Sequence, residues 1–305
     1  MGKVLLYAYK KGVFCIIALG FTFLPMGLTS TQEVPRSVSD SAALERILEN
    51  TGLYCKKLQD FIYHFVCHEF VTEKIRGASK TRWSAPSMGG MNPTYGGAEG
   101  GTVSVTSESS TNTYLYDYQM VRKRSLNQET RTLLKKNGQN QVVPNARLEA
   151  IRFYFQNMAF GPIDLFGTTG RLNHTYRIVG SKKIKGQNVT IVEAASKEDS
   201  PSYNPSGKVW LRDSDCAILK IEWDQRSLIG FKDVQAAAEK IKLTPAISLV
   251  AEYGVEKNGI RFPSRVIIQE AYLRNKDKKK RVFSDVTVDY KDYQFFTVEV
   301  GVDYK

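Results

Sequence analysis

Gly207-Lys208-Val209-Trp210-Leu211-Arg212, then Asp213-Ser214-Asp215, then Cys216 and the run Ala217-Ile218-Leu219-Lys220-Ile221-Glu222-Trp223, is the stretch that decides the fold. Two short runs rich in β-branched, aliphatic and aromatic residues flank an Asp/Ser turn, which reads as a β-hairpin. The same unit recurs outward in both directions. Toward the N-terminus, 188–195 and 174–180 are joined through Gly186, and 128–136 ends at Asn137-Gly138, a strong hairpin turn. Before these, Tyr114, Tyr116 and Tyr118 alternate with Leu115, Asp117 and Gln119. Toward the C-terminus, 247–255 meets 260–273 across Lys257-Asn258-Gly259, 282–290 follows a lysine-rich tip, and 295–302 is the last strand expected. Connections this tight cannot carry parallel crossovers, so an antiparallel sheet is expected.

Few helices interrupt the strands. From Ser41, the residues Leu44, Ile47, Leu48, Cys55 and Leu58 recur at helical spacing, with Asp40 or Ser39 placed to cap the first turn. The pattern then switches: Phe61, Tyr63, Phe65, Cys67, Glu69, Val71, Glu73 and Ile75 mark alternate positions. Residues 61–75 therefore read as a strand, with a helical extension as the rival. Phe231, Val234, Ala237, Ala238 and Ile241 form a helical stripe ended by Pro245, and 153–166 is an aromatic helical stretch broken at Gly161-Pro162. The expected fold is mainly β with a few helices: a curved antiparallel sheet, a half-open barrel, covered on its concave face by helices. An uncovered apolar face of that size would aggregate. Residues 77–112, dominated by Gly, Ser, Thr, Asn and Pro, read as a flexible insertion.

The chain opens with Lys3, Lys10 and Lys11, an apolar run over 13–26 and a small polar stretch over 27–30, the order of a secretory signal. Residues 1–30 are read as that signal, cleaved near Ser30, and 31–305 as one domain. Loss of the three lysines takes the formal charge from +12 to about +9, which would suit an anionic membrane surface. The cations are nevertheless spread through every segment, and export argues against nucleic acid. After cleavage Cys55, Cys67 and Cys216 remain in an oxidising compartment. Cys55 and Cys67 lie close in sequence on adjacent elements and are paired as a disulfide, with Cys216 a small buried hydrophobe.

Nothing in the chain groups into a catalytic site. There is no nucleophile elbow, phosphate loop or dinucleotide fingerprint, and no cofactor is expected. The segment with Cys55, His64, Cys67 and His68 has zinc-ligand types, but four strand residues span about 13 Å, so the histidines cannot converge. Pairs such as Asp213 with Asp215 fall at turns, where solvated acids are ordinary. Asn173-His174-Thr175 and Asn188-Val189-Thr190 match glycosylation acceptors, which matter only in a eukaryotic host.

The later two-thirds of the chain resembles the LolA/LolB-like superfamily of periplasmic lipoprotein-sorting proteins. The resemblance rests on 207–212, on Asp215-Cys216-Ala217-Ile218-Leu219-Lys220-Ile221, on Gly259-Ile260-Arg261-Phe262-Pro263-Ser264-Arg265, and on Tyr290-Lys291-Asp292-Tyr293 with Phe295. It implies a half-open barrel closed by helices, whose hollow receives acyl chains of a lipid or lipoprotein. The chain departs from the pattern in its Gly/Ser-rich insertion and in lacking the acylated cysteine of the LolB branch. If a hollow is present, Phe153, Phe155, Phe160, Ile163, Leu165 and Phe166 are expected to line it, because that stretch is too apolar to be exposed; Trp210 and Trp223 come second. The alternative is a non-enzymatic envelope scaffold, with a filled core and an envelope protein as partner.

Overall fold

The computed structural model describes residues 38–61, 64–83, 103–123, 126–148, 158–197, 205–228, 231–240 and 242–296. The secretory-signal reading of 1–30, and Phe153 and Phe155, lie outside these residues. In chain order come α1 (Val38–Phe61), β1 (His64–Trp83), β2 (Val103–Lys123), β3 (Leu126–Lys136) and β4 (Gln139–Val143). A 3-10 turn (Met158–Phe160), α2 (Gly161–Phe166) and α3 (Thr168–Asn173) follow. Next are β5 (His174–Ile184), β6 (Gln187–Ser196), β7 (Gly207–Arg212), β8 (Ile218–Trp223) and α4 (Phe231–Lys240). The last are β9 (Leu243–Pro245), β10 (Ser248–Glu252), β11 (Val255–Lys257), β12 (Ile260–Phe262), β13 (Arg265–Arg274) and β14 (Lys280–Phe295).

All but β11 and β12 join one 12-stranded sheet in the order β4-β3-β2-β1-β14-β13-β10-β8-β7-β6-β5, with β9 on β13. Every strand pairing described is antiparallel, and the sheet is not closed: β4 and β5 are its edges. The turns are built as their residues require. Asn137-Gly138 (φ 49° and 81°), Lys185-Gly186 (47° and 81°) and Asn258-Gly259 (53° and 73°) each place two left-handed residues in a two-residue hairpin loop. That geometry matches the twist of the flanking strands.

Several expectations are corrected. The two long strands expected over 247–255 and 260–273 are each split, because Gly254 and Pro263-Ser264 peel the small β11–β12 hairpin off the sheet. Ser264 holds that departure by donating its N–H to Glu252 O (2.7 Å) and accepting from Gly254 N–H at its Oγ (3.0 Å). The Gly/Ser-rich stretch is not all loop: β1 runs to Trp83 and pairs with β2 from Val103, with a bulge between Ile75 and Ala78. Pro162 does not break a helix but opens α2 in its first turn, where a missing N–H costs nothing. Cys55 and Cys67 are both free and buried. The helix and strand carry their thiols to different places: Cys55 Sγ donates to Pro162 O (3.3 Å), while Cys67 sits beside Tyr293. Burial pushes both thiols up.

One sheet face carries the main core. Phe65, Cys67 and Val71 of β1 and Tyr114, Tyr116, Tyr118 and Met120 of β2 share it with Leu48, Tyr54, Cys55 and Leu58 of α1 and Leu165 and Phe166 of α2. The same parity on β1 buries Glu69 completely. Arg131 of β3 meets it bidentately, Nε to Oε2 at 2.7 Å and Nη2 to Oε1 at 3.1 Å, and donates from Nη1 to Glu129 (3.2 Å). The Tyr118 hydroxyl completes the group by donating to Glu129 Oε1 (2.8 Å). Burial raises the Glu69 carboxyl above its ordinary range, and Arg131 acts against that rise.

Replacing Arg131 with Met would strand a buried carboxylate, at a cost of about 3–5 kcal/mol. The sign with pH follows from the raised carboxyl: stability is present where Glu69 is protonated and is lost as pH climbs through its folded value. Urea unfolding of the Arg131→Met variant should therefore show a smaller deficit at about pH 5 than at about pH 8. A second expectation concerns the thiols: Cys55 and Cys67 should alkylate only after unfolding, without reductant.

Candidate functional site

The aromatic segment sits where α1, α2 and the sheet meet. Phe160, Leu165 and Phe166 are buried there, with Ile163 packed half-buried against the same core. The Phe166 ring stacks on Tyr176 of β5 at 5.4 Å. Side chains from three directions hold α2 and the turn before it by their carbonyls. Tyr176 donates its hydroxyl to Leu165 O (2.6 Å), Tyr253 to Met158 O (2.8 Å), and Cys55 its thiol to Pro162 O.

Glycine decides how α3 folds back on α2. A Cβ at Gly167 would lie 2.6 Å from Ile163 O, and one at Gly170 would lie 2.4 Å from Asp164 O. His174, buried at the end of α3, sets Nδ1 2.7 Å from Gly170 O and Nε2 2.8 Å from Pro205 O. Gly161 is equally confined, because a Cβ there would lie 2.7 Å from Trp223 Cζ2 and 3.1 Å from the Tyr253 hydroxyl.

Between α1 and the α2–α3 segment lies a cleft of about 870 Å³, lined by Glu49, Gly52, Leu53, Lys56, Phe166 and Leu172 among others. Its mouth is apolar where a surface should be polar: Leu53 is 61% exposed and Leu172 69% exposed. Arg171 crosses the cleft to α1, with Nη2 3.4 Å from Glu45. A second cleft, of about 650 Å³, lies beside Trp223, Phe231 and the ends of β6 and β7; its rim mixes Glu193, Lys208, Glu222 and Lys232.

The structure thus brings Phe160, Ile163, Leu165, Phe166 and Trp223 into one core cluster. Trp210 lies apart. It alternates with Val209 and Leu211, so it falls on the opposite sheet face with Val189 and Ile191, under the Lys220 ammonium at 4.2 Å. The motifs behind the sequence resemblance converge as well. Arg212 donates to Asp215 (2.7 Å), and Arg261 donates to Glu256 (2.7 Å), which also lies 3.5 Å from Arg212. Arg261 N–H donates to the Tyr54 hydroxyl (2.9 Å), so this network pins α1.

Leu53, Leu172, Lys56 and Arg171 were not among the residues expected from sequence. Leu53 carried a signal: it lies off the helical stripe of Leu44, Leu48, Cys55 and Leu58, an apolar residue on a polar face. Among the described residues no three His, Cys, Asp or Glu side chains come together, and no helix is long and apolar enough to cross a membrane.

No family model and no curated protein matches the chain. Its structure is similar to that of a domain assigned to outer membrane lipoprotein sorting from Vibrio parahaemolyticus, at 12% identity and a TM-score of 0.38, over 84% of this chain and 95% of that one. It is also similar to a LolA superfamily protein from Nitrosomonas europaea, at 13% identity and a TM-score of 0.33, over 86% and 97%. A DUF1329 family protein from Desulfovibrio piger aligns at 12% identity and a TM-score of 0.33, over 85% and 94%. The superfamily named by the sequence resemblance is thus among the structures found.

The confinement of Gly161 gives a direct check. Gly161→Ala should push on the buried Trp223 ring, lowering stability by about 1–3 kcal/mol and shifting tryptophan emission. Unchanged stability and emission would show that Trp223 has room to move.

Proposed function

We propose that the protein is a soluble, non-enzymatic periplasmic carrier or chaperone that shields acyl chains of a lipid or lipoprotein. The chains enter between α1 and the α2–α3 segment and settle against Ile163, Leu165, Phe166 and Phe160. The observation that supports this best is the cleft of about 870 Å³ with Leu53 and Leu172 exposed at its mouth and Phe166 at its floor. A carrier needs no nucleophile; it needs an apolar recess behind a cover that opens. The hydrogen bonds from Tyr176, Tyr253 and Cys55 to this segment would have to break for the cover to open. The secretory signal read over 1–30 supports a periplasmic setting.

A second reading, an envelope scaffold that binds a partner protein, is favoured by the filling of the interior: Phe65, Tyr116, Phe166 and Tyr253 are each 1% exposed or less. Lipid content separates the two. Native mass spectrometry of protein purified from its own envelope without detergent should show a bound acyl lipid. Leu53→Asp, at a site exposed enough to leave folding alone, should remove it. Lipid-free wild-type protein that binds no fluorescent fatty acid would leave the scaffold reading standing and remove the carrier.

A further inference from the structure

The same cleft carries charged side chains beside its apolar rim. α1 presents Glu49, Gly52, Lys56 and Gln59 toward it, residues that share one helical face. Arg171 reaches across from α3 and lies against Gly52, where a Cβ would come 3.6 Å from Nη1. Its carboxylate partner, Glu45, is held at 3.4 Å and is itself 63% exposed, so that pairing is loose. Among the described residues Lys56 makes no ion pair. Glu49 lies about 10 Å from Lys56 along the helix axis, between Glu45 and Gly52, the two residues that Arg171 reaches. Two cations therefore stand beside two exposed leucines, with Glu49 one turn from the Gly52 that Arg171 lies against.

That arrangement fits an amphiphile rather than a macromolecule. The cleft, at about 870 Å³, lies within the usual size of small-molecule sites, about 300–1,000 Å³. A stable protein partner would need about 800 Å² of surface from each side, far beyond two leucines.

We propose that the α1–α3 cleft binds a single-chain anionic amphiphile, its acyl chain against Leu53, Leu172 and Phe166 and its carboxylate or phosphate head between Lys56 and Arg171. This rests on the carrier reading and adds the head-group chemistry.

The test compares three ligands with one acyl chain: palmitate, palmitoyl lysophosphatidate and neutral monopalmitoylglycerol. Each is titrated calorimetrically into the full chain and into a Lys56→Gln/Arg171→Gln double variant, with thermal unfolding as the control for folding. Wild-type protein should bind at least one anionic ligand about tenfold more tightly than the neutral one, about 1.4 kcal/mol. The double variant should lose that preference while keeping its affinity for monopalmitoylglycerol. A tighter palmitate identifies a carboxylate head and a tighter lysophosphatidate a phosphate head, and either supports the proposal. Equal binding of all three ligands, a preference that survives the double variant, or loss of the neutral ligand along with the anionic ones overturns the head-group site alone. Binding of none overturns the carrier reading with it.

Discussion

The pairing of β1 with β14 is the constraint on which the rest depends. It joins the first strand of the sheet to the last, from Phe65 opposite Phe295 to Ile75 opposite Ser284. On one side of this seam lies the β1–β4 meander, and on the other the run from β14 to β5. Without it the two halves would be separate sheets with bare edges. Contacts so distant in sequence carry a loop-closure entropy and form slowly. The seam is accordingly fastened by aromatic rings: Phe65 lies 5.6 Å from Phe262 and 5.3 Å from Tyr293, and Phe262 lies 4.8 Å from Phe295. A bulge between Val66 and His68 adjusts the register, and there Asp292, in a left-handed conformation, meets His68 Nδ1 at 3.0 Å.

From that seam the placement of the cleft follows by contact. Phe262 belongs to β12, whose Arg261 N–H bonds the Tyr54 hydroxyl and so fixes α1 over the core. α1 in turn meets α2 through Cys55 and Pro162. The exposed mouth at Leu53 and Leu172 is thus the outer rim of a stack that begins at the strand seam. Glu69 sits in the seam itself, opposite Tyr290, and Arg131 reaches it from β3; the pair is enclosed by Tyr118 and Tyr290, which burial keeps protonated. Buried ion pairs are weak sources of stability but punish the loss of either partner, and this one ties β3 to β1 across β2.

The hairpins were legible because their turns have local causes. Asn-Gly and Lys-Gly loops adopt left-handed backbone cheaply, and the residues beside them alternate. α1 was legible from its apolar stripe, and the last helix from Phe231 and Ala238. What could not be read depends on tertiary placement. Val103, Val105 and Thr106 are β-prone, but the Gly- and Ser-rich composition around them outweighed that signal. The Cys55–Cys67 pairing failed because nearness in sequence says nothing about where a helix and a strand aim their thiols. Pro162 was misread because the same residue that breaks a helix interior also starts one. Glu69 and Trp210 both carried readable parity, one a charge among core positions and the other an aromatic out of phase with Val209 and Leu211. Arg171 carried none, since only the fold brings α3 to α1.

The central claim is that acyl chains occupy the seam between α1 and the α2–α3 segment, and photolabelling with a diazirine-bearing fatty acid tests it most directly. Saturable label should map to peptides covering 49–59 and 158–172 and be competed away by unlabelled fatty acid. Label that maps instead to 222–235 beside the second cleft, or that never saturates, would contradict the account.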